Sequence, residues 1–267
     1  MRALIALYRQ QFKTTFAMML QYRASLIIWM IGHVLEPLVY LIVWSKVTSG
    51  RGGKVGDYTA QSFAAYFIVL MLVNHATYTW IMYEFEYRIR QGIFSSALLK
   101  PVHPIHSDIA DNLSSKLITF PLMLLIAFVL ALMFHAEFSP QPWAFVLFVP
   151  VIFFAFLLRF LLEWSLAQAA FWTTRVSAIN QSYFVLVLFL SGQLAPLSIF
   201  PHFFQVIAKV LPFRWMISFP VELLLGRLTL SQTVVGLNVQ MIWLIISLVL
   251  IRKMWRTGVR LYSAVGA

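Results

Sequence analysis

Six long apolar runs decide what this chain can fold into. They fall at about residues 24–46, 60–83, 117–135, 143–173, 179–199 and 233–251. A helix of about 20 apolar residues matches the hydrocarbon thickness of a bilayer. Inside lipid every backbone N–H and C=O must be satisfied within the structure, and a helix does this on its own. The rest of the chain has too little polar surface to offset the runs. Of its 267 residues, 61% are hydrophobic and 11% are charged, against roughly 25% charged in a soluble domain. The mean hydropathy is +0.83. The expected fold is an all-α integral membrane protein with six transmembrane helices. The fourth run is long enough to tilt or to project from the bilayer.

The net charge is +11. In a soluble protein that excess would suggest nucleic acid. Here Lys and Arg flank apolar runs, so they read as topology signals, and no nucleic-acid partner is expected. With the N-terminus in the cytoplasm, thirteen Lys and Arg fall in inside segments. Five fall outside: Arg51, Lys54, Lys209, Arg214 and Arg227. Both termini are then cytoplasmic, which agrees with an even number of spans. Cysteine is absent, which removes disulfide, thiol and Cys-based metal chemistry. Arg2, Arg9, Lys13 and Arg23 are spread through residues 1–23, which leaves no compact apolar region of the signal-peptide kind. The nine Trp residues fall largely near span ends, where they anchor helices at the interface.

Three segments between the runs are unusual. In residues 1–23, Leu4, Leu7, Phe12, Phe16 and Leu20 recur at three- and four-residue spacing against Arg2, Arg9 and Lys13. That pattern suits an amphipathic helix in the headgroup layer; the alternative is a frayed extension of the first span. Residues 84–116, EFEYRIRQGIFSSALLKPVHPIHSDIADNLSSK, are mixed polar and apolar. Arg88 to Leu99 is predicted helical and stops at Lys100-Pro101, because a residue before proline is biased away from the helix. Residues 192–232 are apolar yet broken by Gly192, Pro196, Pro201, Pro212, Pro220 and Gly226. They suggest re-entrant outer helices before the last span, whose irregular backbone protein must shield. The alternative is one ordinary amphipathic outer helix.

Little in the sequence carries catalytic chemistry. No G-x-x-x-x-G-K-[ST] and no H-E-x-x-H occurs, so nucleotide hydrolysis through a P-loop is excluded. His103-Pro-Ile-His106-Ser-Asp108-Ile-Ala-Asp111 has residue types that ligate metals or act as a base. Pro104 within it and Pro101 just before it are expected to keep it from a regular helix. A solvated turn fits it better, with Ser107 or Asp108 capping the next helix, and no metal site is assigned. Ionisable groups within spans are costly and often functional. His33 and Glu36 share a face of the first span, beside Pro37, and Arg159 and Glu163 lie four apart in the fourth. They read as a polar strip along a substrate path or an inter-subunit contact. The bland alternative is an internally compensated pair, or Arg159 snorkelling to an interface.

The order of elements resembles a known family: basic amphipathic helix, six spans, a cytoplasmic helix between the second and third, and a proline-broken outer segment before the last. The local hallmarks are Arg90-Gln-Gly92-Ile-Phe-Ser-Ser-Ala-Leu98-Leu99-Lys100-Pro101 and the tail Trp255-Arg-Thr-Gly258-Val-Arg260-Leu-Tyr262-Ser-Ala-Val-Gly266-Ala. The chain is similar to the permease subunit of a bacterial ABC transporter of the type-2 exporter family, over essentially its whole length. The resemblance implies one permease domain over 1–267, in the bacterial cytoplasmic membrane. It implies that the 88–100 helix, with Arg88, Arg90, Gly92, Leu98, Leu99 and Pro101, is the coupling helix that enters a separate ATPase subunit. Residues 1–23 would be an interface helix touching that subunit. ATP and Mg would be held there, leaving this chain without a cofactor and non-catalytic. A second permease, identical or related, would complete the path, with the first, second and fifth spans near the shared axis. Two rivals remain: an ion-coupled secondary transporter, which needs paired repeats and coupling carboxylates, and a membrane-embedded enzyme built on His103–Asp111.

Overall fold

The apolar runs become helices in the computed structural model, which describes the backbone of residues 2–173 and 175–262 and the side chains from Leu4. The last five residues of the tail motif, 263–267, lie outside the described residues. Helix α1 (Arg2–Gln21) is separated by Tyr22 alone from α2 (Arg23–Gly50). The second run gives α3 (Ala60–Thr77) and α4 (Ile81–Arg90), with a break at Tyr78–Trp80. A five-residue helix, α5 (Phe94–Leu98), leads to α6 (Pro104–Met133). Then come α7 (Pro142–Ala167), extended by a 3-10 turn over Gln168–Phe171, and α8 (Ser177–Leu190). Three short helices follow, α9 (His202–Val210), α10 (Pro212–Met216) and α11 (Ser218–Leu224), and α12 (Leu230–Leu261) closes the chain.

Helix α3 is the core of the bundle. Its sequence from Phe63 to Val73 is apolar on every side, and such a helix has no face to offer water. It packs against α2, α6, α7 and α11, while α12 lies on α7 and α1 on α6. Thr59 starts it with a reciprocal cap: Ser62 N–H donates to Thr59 Oγ1 at 3.1 Å and Thr59 N–H to Ser62 Oγ at 2.7 Å. The outer helices invert the pattern of a soluble bundle. Helix α2 exposes Ile27, Ile28, Ile31, Leu35, Val39, Ile42 and Val43, a surface suited to lipid or to another apolar partner.

Among the described residues five helices are long and apolar enough to cross a membrane, with α3 and α4 together forming one of them. The fifth run behaves differently. The only α-helix described there is α8, 14 residues or about 21 Å at 1.5 Å per residue. The apolar residues after it, among them Ala195 and Leu197, are buried in a turn and a short 3-10 helix instead. The third helix starts at Pro104, well before residue 117. Pro104 occupies the first turn, where its missing N–H costs nothing. This corrects the expectation that the prolines keep His103–Asp111 out of a helix. The cap is His103, whose Nδ1 accepts from Ile105 N–H at 3.3 Å, and not Ser107 or Asp108. The helix expected over 88–100 is in fact an elbow: α4 ends at Arg90, Gly92 turns the chain with φ +70°, and α5 follows. Only glycine adopts that conformation without strain.

Residues 192–232 form three short helices rather than one. Here the prolines begin elements: Pro196 precedes a 3-10 turn at Leu197–Ile199, Pro201 caps α9 and Pro212 opens α10. Helices α10 and α11 are buried against α7, and α11 also against α3. Protein thus shields the interrupted backbone.

Candidate functional site

The break in the second span sets the chemistry of the interior. Ending α3 at Thr77 leaves its last carbonyls without helical donors, deep inside an apolar bundle. One cation answers a carbonyl at the break and a second bonds the side chains beside it. Lys116 Nζ donates to the Tyr78 carbonyl at 2.5 Å and lies 5.5 Å from the Phe156 ring. Arg159 donates through Nη1 to Asn74 Oδ1 at 2.7 Å and to Thr77 Oγ1 at 3.2 Å, with its guanidinium 5.2 Å from the Tyr78 ring. Glu163 completes the cluster. It accepts from Arg159 Nε at 2.9 Å, from Tyr183 OH at 3.0 Å and from Thr79 Oγ1. Arg159 is 2% exposed and Glu163 0%. Positive charge stands at the C-terminal end of α3 and negative charge near the start of α4, as the two helix dipoles favour.

Arg159 also borders a cavity of about 570 Å³ between α2, α3, α4, α7 and α8. His33 and Glu36 line the same cavity, with Asn74, Tyr78 and Gln193. The two polar pairs read separately in the sequence therefore meet in one place. Glu36 accepts from Gln193 Nε2 at 2.8 Å, and Trp44 Nε1 donates to the Leu194 carbonyl at 3.0 Å. These two bonds tie α2 to the turn after α8. Just before them, the Gly192 carbonyl accepts from Tyr66 OH at 2.7 Å. In the same region Glu222 accepts from Arg214 and Ser218, each at 2.7 Å.

At the far end of α4 the elbow is clamped from behind. Phe94 is 0% exposed and sits among Phe85 at 4.8 Å, Phe171 at 5.7 Å, Tyr262 at 5.8 Å and Trp255 at 6.0 Å between ring centroids. Tyr262 OH donates to the Gly92 carbonyl at 3.3 Å. Gly258 lets the Phe171 ring lie against its backbone, where a Cβ would come within 2.3 Å of the ring. The two sequence hallmarks, distant in the chain, are thus two sides of one joint. On its outer side Ile93, Leu99, Lys100 and Pro101 are exposed, Leu99 to 88%, while Leu98 is half-buried. Arg90 is exposed, with Glu86 at 3.9 Å. Arg88 turns inward and pairs with Asp108 at 2.9 Å.

The His103–Asp111 cluster is structural. Asp108 also accepts from Trp164 Nε1 at 2.9 Å, and Asp111 accepts from Gln11 and Thr15 of α1, each at 3.0 Å. The acids pin the first turns of α6 to α1, α4 and α7. Among the described residues no three His, Asp or Glu side chains converge to hold a metal. His103 stacks 4.3 Å from Trp255, and its imidazole is held below its ordinary pKa by burial, reinforced by His106 and opposed by Asp108.

Sequence reasoning missed Asn74, Thr77, Thr79, Lys116, Tyr183 and Gln193. The signal for the first three was present: Asn74-His-Ala-Thr77-Tyr-Thr79 interrupts an apolar run. Lys116, assigned to an inside loop, is a helix residue whose ammonium serves the interior.

Apolar outer helices, a broken span braced by buried charge and a polar cavity opening among the helices are those of a multi-pass membrane protein. The family model described as ABC-2 family transporter protein matches residues 34–266, and the chain belongs to that family. It is a multi-pass membrane protein and an ABC transporter permease subunit, and its family associates with an ABC ATPase subunit. Helix α1 and the start of α2 precede the matched region. No curated protein matches the chain.

Proposed function

We propose that this chain is the transmembrane subunit of an ATP-driven exporter of the bacterial cytoplasmic membrane. It has both termini in the cytoplasm, is powered by a separate ATPase that holds ATP and Mg, and forms its pathway with a second, identical or related permease. The observation that carries this reading is the elbow: an exposed Leu99 on a short helix whose inner face is locked into the bundle by Phe94. A surface so built receives a push and passes it on. In this reading Ile93, Leu99, Lys100 and Pro101 meet the ATPase, with Arg90 at the rim and Leu98 bracing the joint. Helix α1 is the interface helix, held to α6 through Asp111. ATP binding closes the two ATPases, and the elbow moves α4 with the ends of α7 and α12 as a body. Helix α4 starts at the Arg159–Glu163 cluster beside the cavity, so motion reaches the path there. The 192–232 segment closes the outer side, and α2 and α8 face the second permease. An ion-coupled mechanism is less well supported, because the carboxylate of Glu163 is already saturated by Arg159, Thr79 and Tyr183.

The test is co-expression with the ATPase. The wild-type chain is expected to co-purify with it. Leu99→Asp is expected to leave the permease folded, since an exposed substitution typically changes stability by about 0.5 kcal/mol or less, and to lose the ATPase. Transport by the chain alone in liposomes, driven by an ion gradient, defeats the reading.

A further inference from the structure

Glu36 and Arg159 line one cavity but differ in how their charges are met. The Arg159 guanidinium is engaged by Glu163, Asn74, Thr77 and the Tyr78 ring. Its Nε and Nη1 are thus taken and its charge is met by Glu163, which leaves Nη2 alone to face the cavity. Among the described residues no cationic nitrogen lies within ion-pair distance of the Glu36 carboxylate, and its partner is the neutral amide of Gln193. Glu36 lies thirteen residues from Arg23 and fourteen from Gly50, about 20 Å from either end of the helix at 1.5 Å per residue. A carboxylate at that depth is costly unless a cavity or partner serves it. One residue on, Pro37 lacks the N–H that would serve the His33 carbonyl.

Away from Arg159, the ring-lined part of the cavity wall supplies the same electrostatic sign. Its rings form a continuous chain: Trp29–His33 at 4.0 Å, His33–Tyr78 at 5.1 Å, Tyr78–Trp80 at 6.3 Å, Trp80–Tyr83 at 4.7 Å and Tyr83–Phe184 at 6.0 Å. Aromatic faces carry negative potential and attract cations, the more so where water is scarce. The volume, about 570 Å³, admits a group with an apolar body. The exposed aliphatic surface of α2 runs past its mouth.

We propose that this cavity is a binding site for a lipophilic monocation, an amine or quaternary onium carrying an apolar body, with Glu36 as the counter-charge and the ring chain as the wall. That the ligand is cargo rests on the permease reading; that the site binds it does not.

The probes are tetraphenylphosphonium and tetraphenylborate, matched in shape and opposite in charge. Binding is measured by equilibrium dialysis on the full chain with its ATPase in maltoside detergent, with uptake by protein-free micelles subtracted. Saturable phosphonium binding and no saturable borate binding are expected. Glu36→Gln is expected to weaken the phosphonium by about tenfold, and Trp80→Leu, should the first variant not fold, by a few-fold. Equal binding of both probes overturns the proposal, and so does a folded Glu36→Gln protein of unchanged affinity. A complex that assembles with its ATPase but binds no phosphonium removes the site and leaves the permease reading standing. Phosphonium binding by a chain that captures no ATPase does the reverse.

Discussion

Arg159 and Glu163 stand one helical turn apart on α7, with 2.9 Å between Nε and Oε1, and they bridge the gap left in the second span at Tyr78–Trp80. Arg159 reaches side chains at the end of α3 and Glu163 reaches Thr79 before α4. A broken helix in an apolar bundle persists because every strong charge at the break has a partner. The same cluster borders the cavity, so the path and the joint in the second span share one set of residues.

Removing half of this pair leaves a buried charge without its partner. Arg159→Met is expected to destabilise the protein by roughly 3–5 kcal/mol. Arg159→Met combined with Glu163→Leu is expected to recover most of that loss, because no bare carboxylate remains. Thermal unfolding of the purified variants in detergent decides it. A double variant no more stable than the single one sinks the argument.

The elbow rests on ring packing. Phe94→Ala empties a fully buried site and is expected to cost roughly 3–5 kcal/mol. Gly258→Leu drives a side chain into the Phe171 ring and is expected to cost about 1–3 kcal/mol. Both are expected to lower ATPase co-purification with Leu99 intact, because the surface that carries Leu99 has lost its backing. Melting curves and pull-down yields together measure this. Unchanged yields with lowered melting temperatures count against a mechanical role for the joint.

His103 gives the fold a pH dependence. Its folded pKa lies below the ordinary value of 6.5. The unfolded chain therefore binds the proton more readily than the folded one. The contribution is fully present above about 6.5 and is lost as pH falls toward the folded value. Protonation also removes the Nδ1 acceptor that caps α6. The melting temperature is expected to fall as the pH drops below about 6.5. In His103→Asn, whose amide oxygen can cap without titrating, that fall is expected to flatten. An equal slope in both proteins would falsify the assignment.

The apolar runs alone specified an all-α membrane fold and the interrupted outer segment, but not the break at Tyr78–Trp80 within the second run. An apolar run satisfies its own backbone only as a helix, and proline acts locally, so five of the six runs and the broken 192–232 segment were legible; the elbow at Gly92 was not, because 88–100 reads as one helix. The sequence also marked His33, Glu36, Arg159 and Glu163, because a charge in an apolar run stands out wherever it sits. Only the tertiary structure decided which groups answer one another. The partner of Asp108 is Arg88, twenty positions before it, that of Asp111 is Thr15, and Lys116 serves the carbonyl of Tyr78. Burial turns on those pairings, since a polar group enters a bundle only where another element supplies its counterpart. Spacing along one helix shows which side chains share a face; it says nothing of what that face meets. The convergence of two polar pairs on one cavity, and of two sequence hallmarks on one joint, is a property of packing.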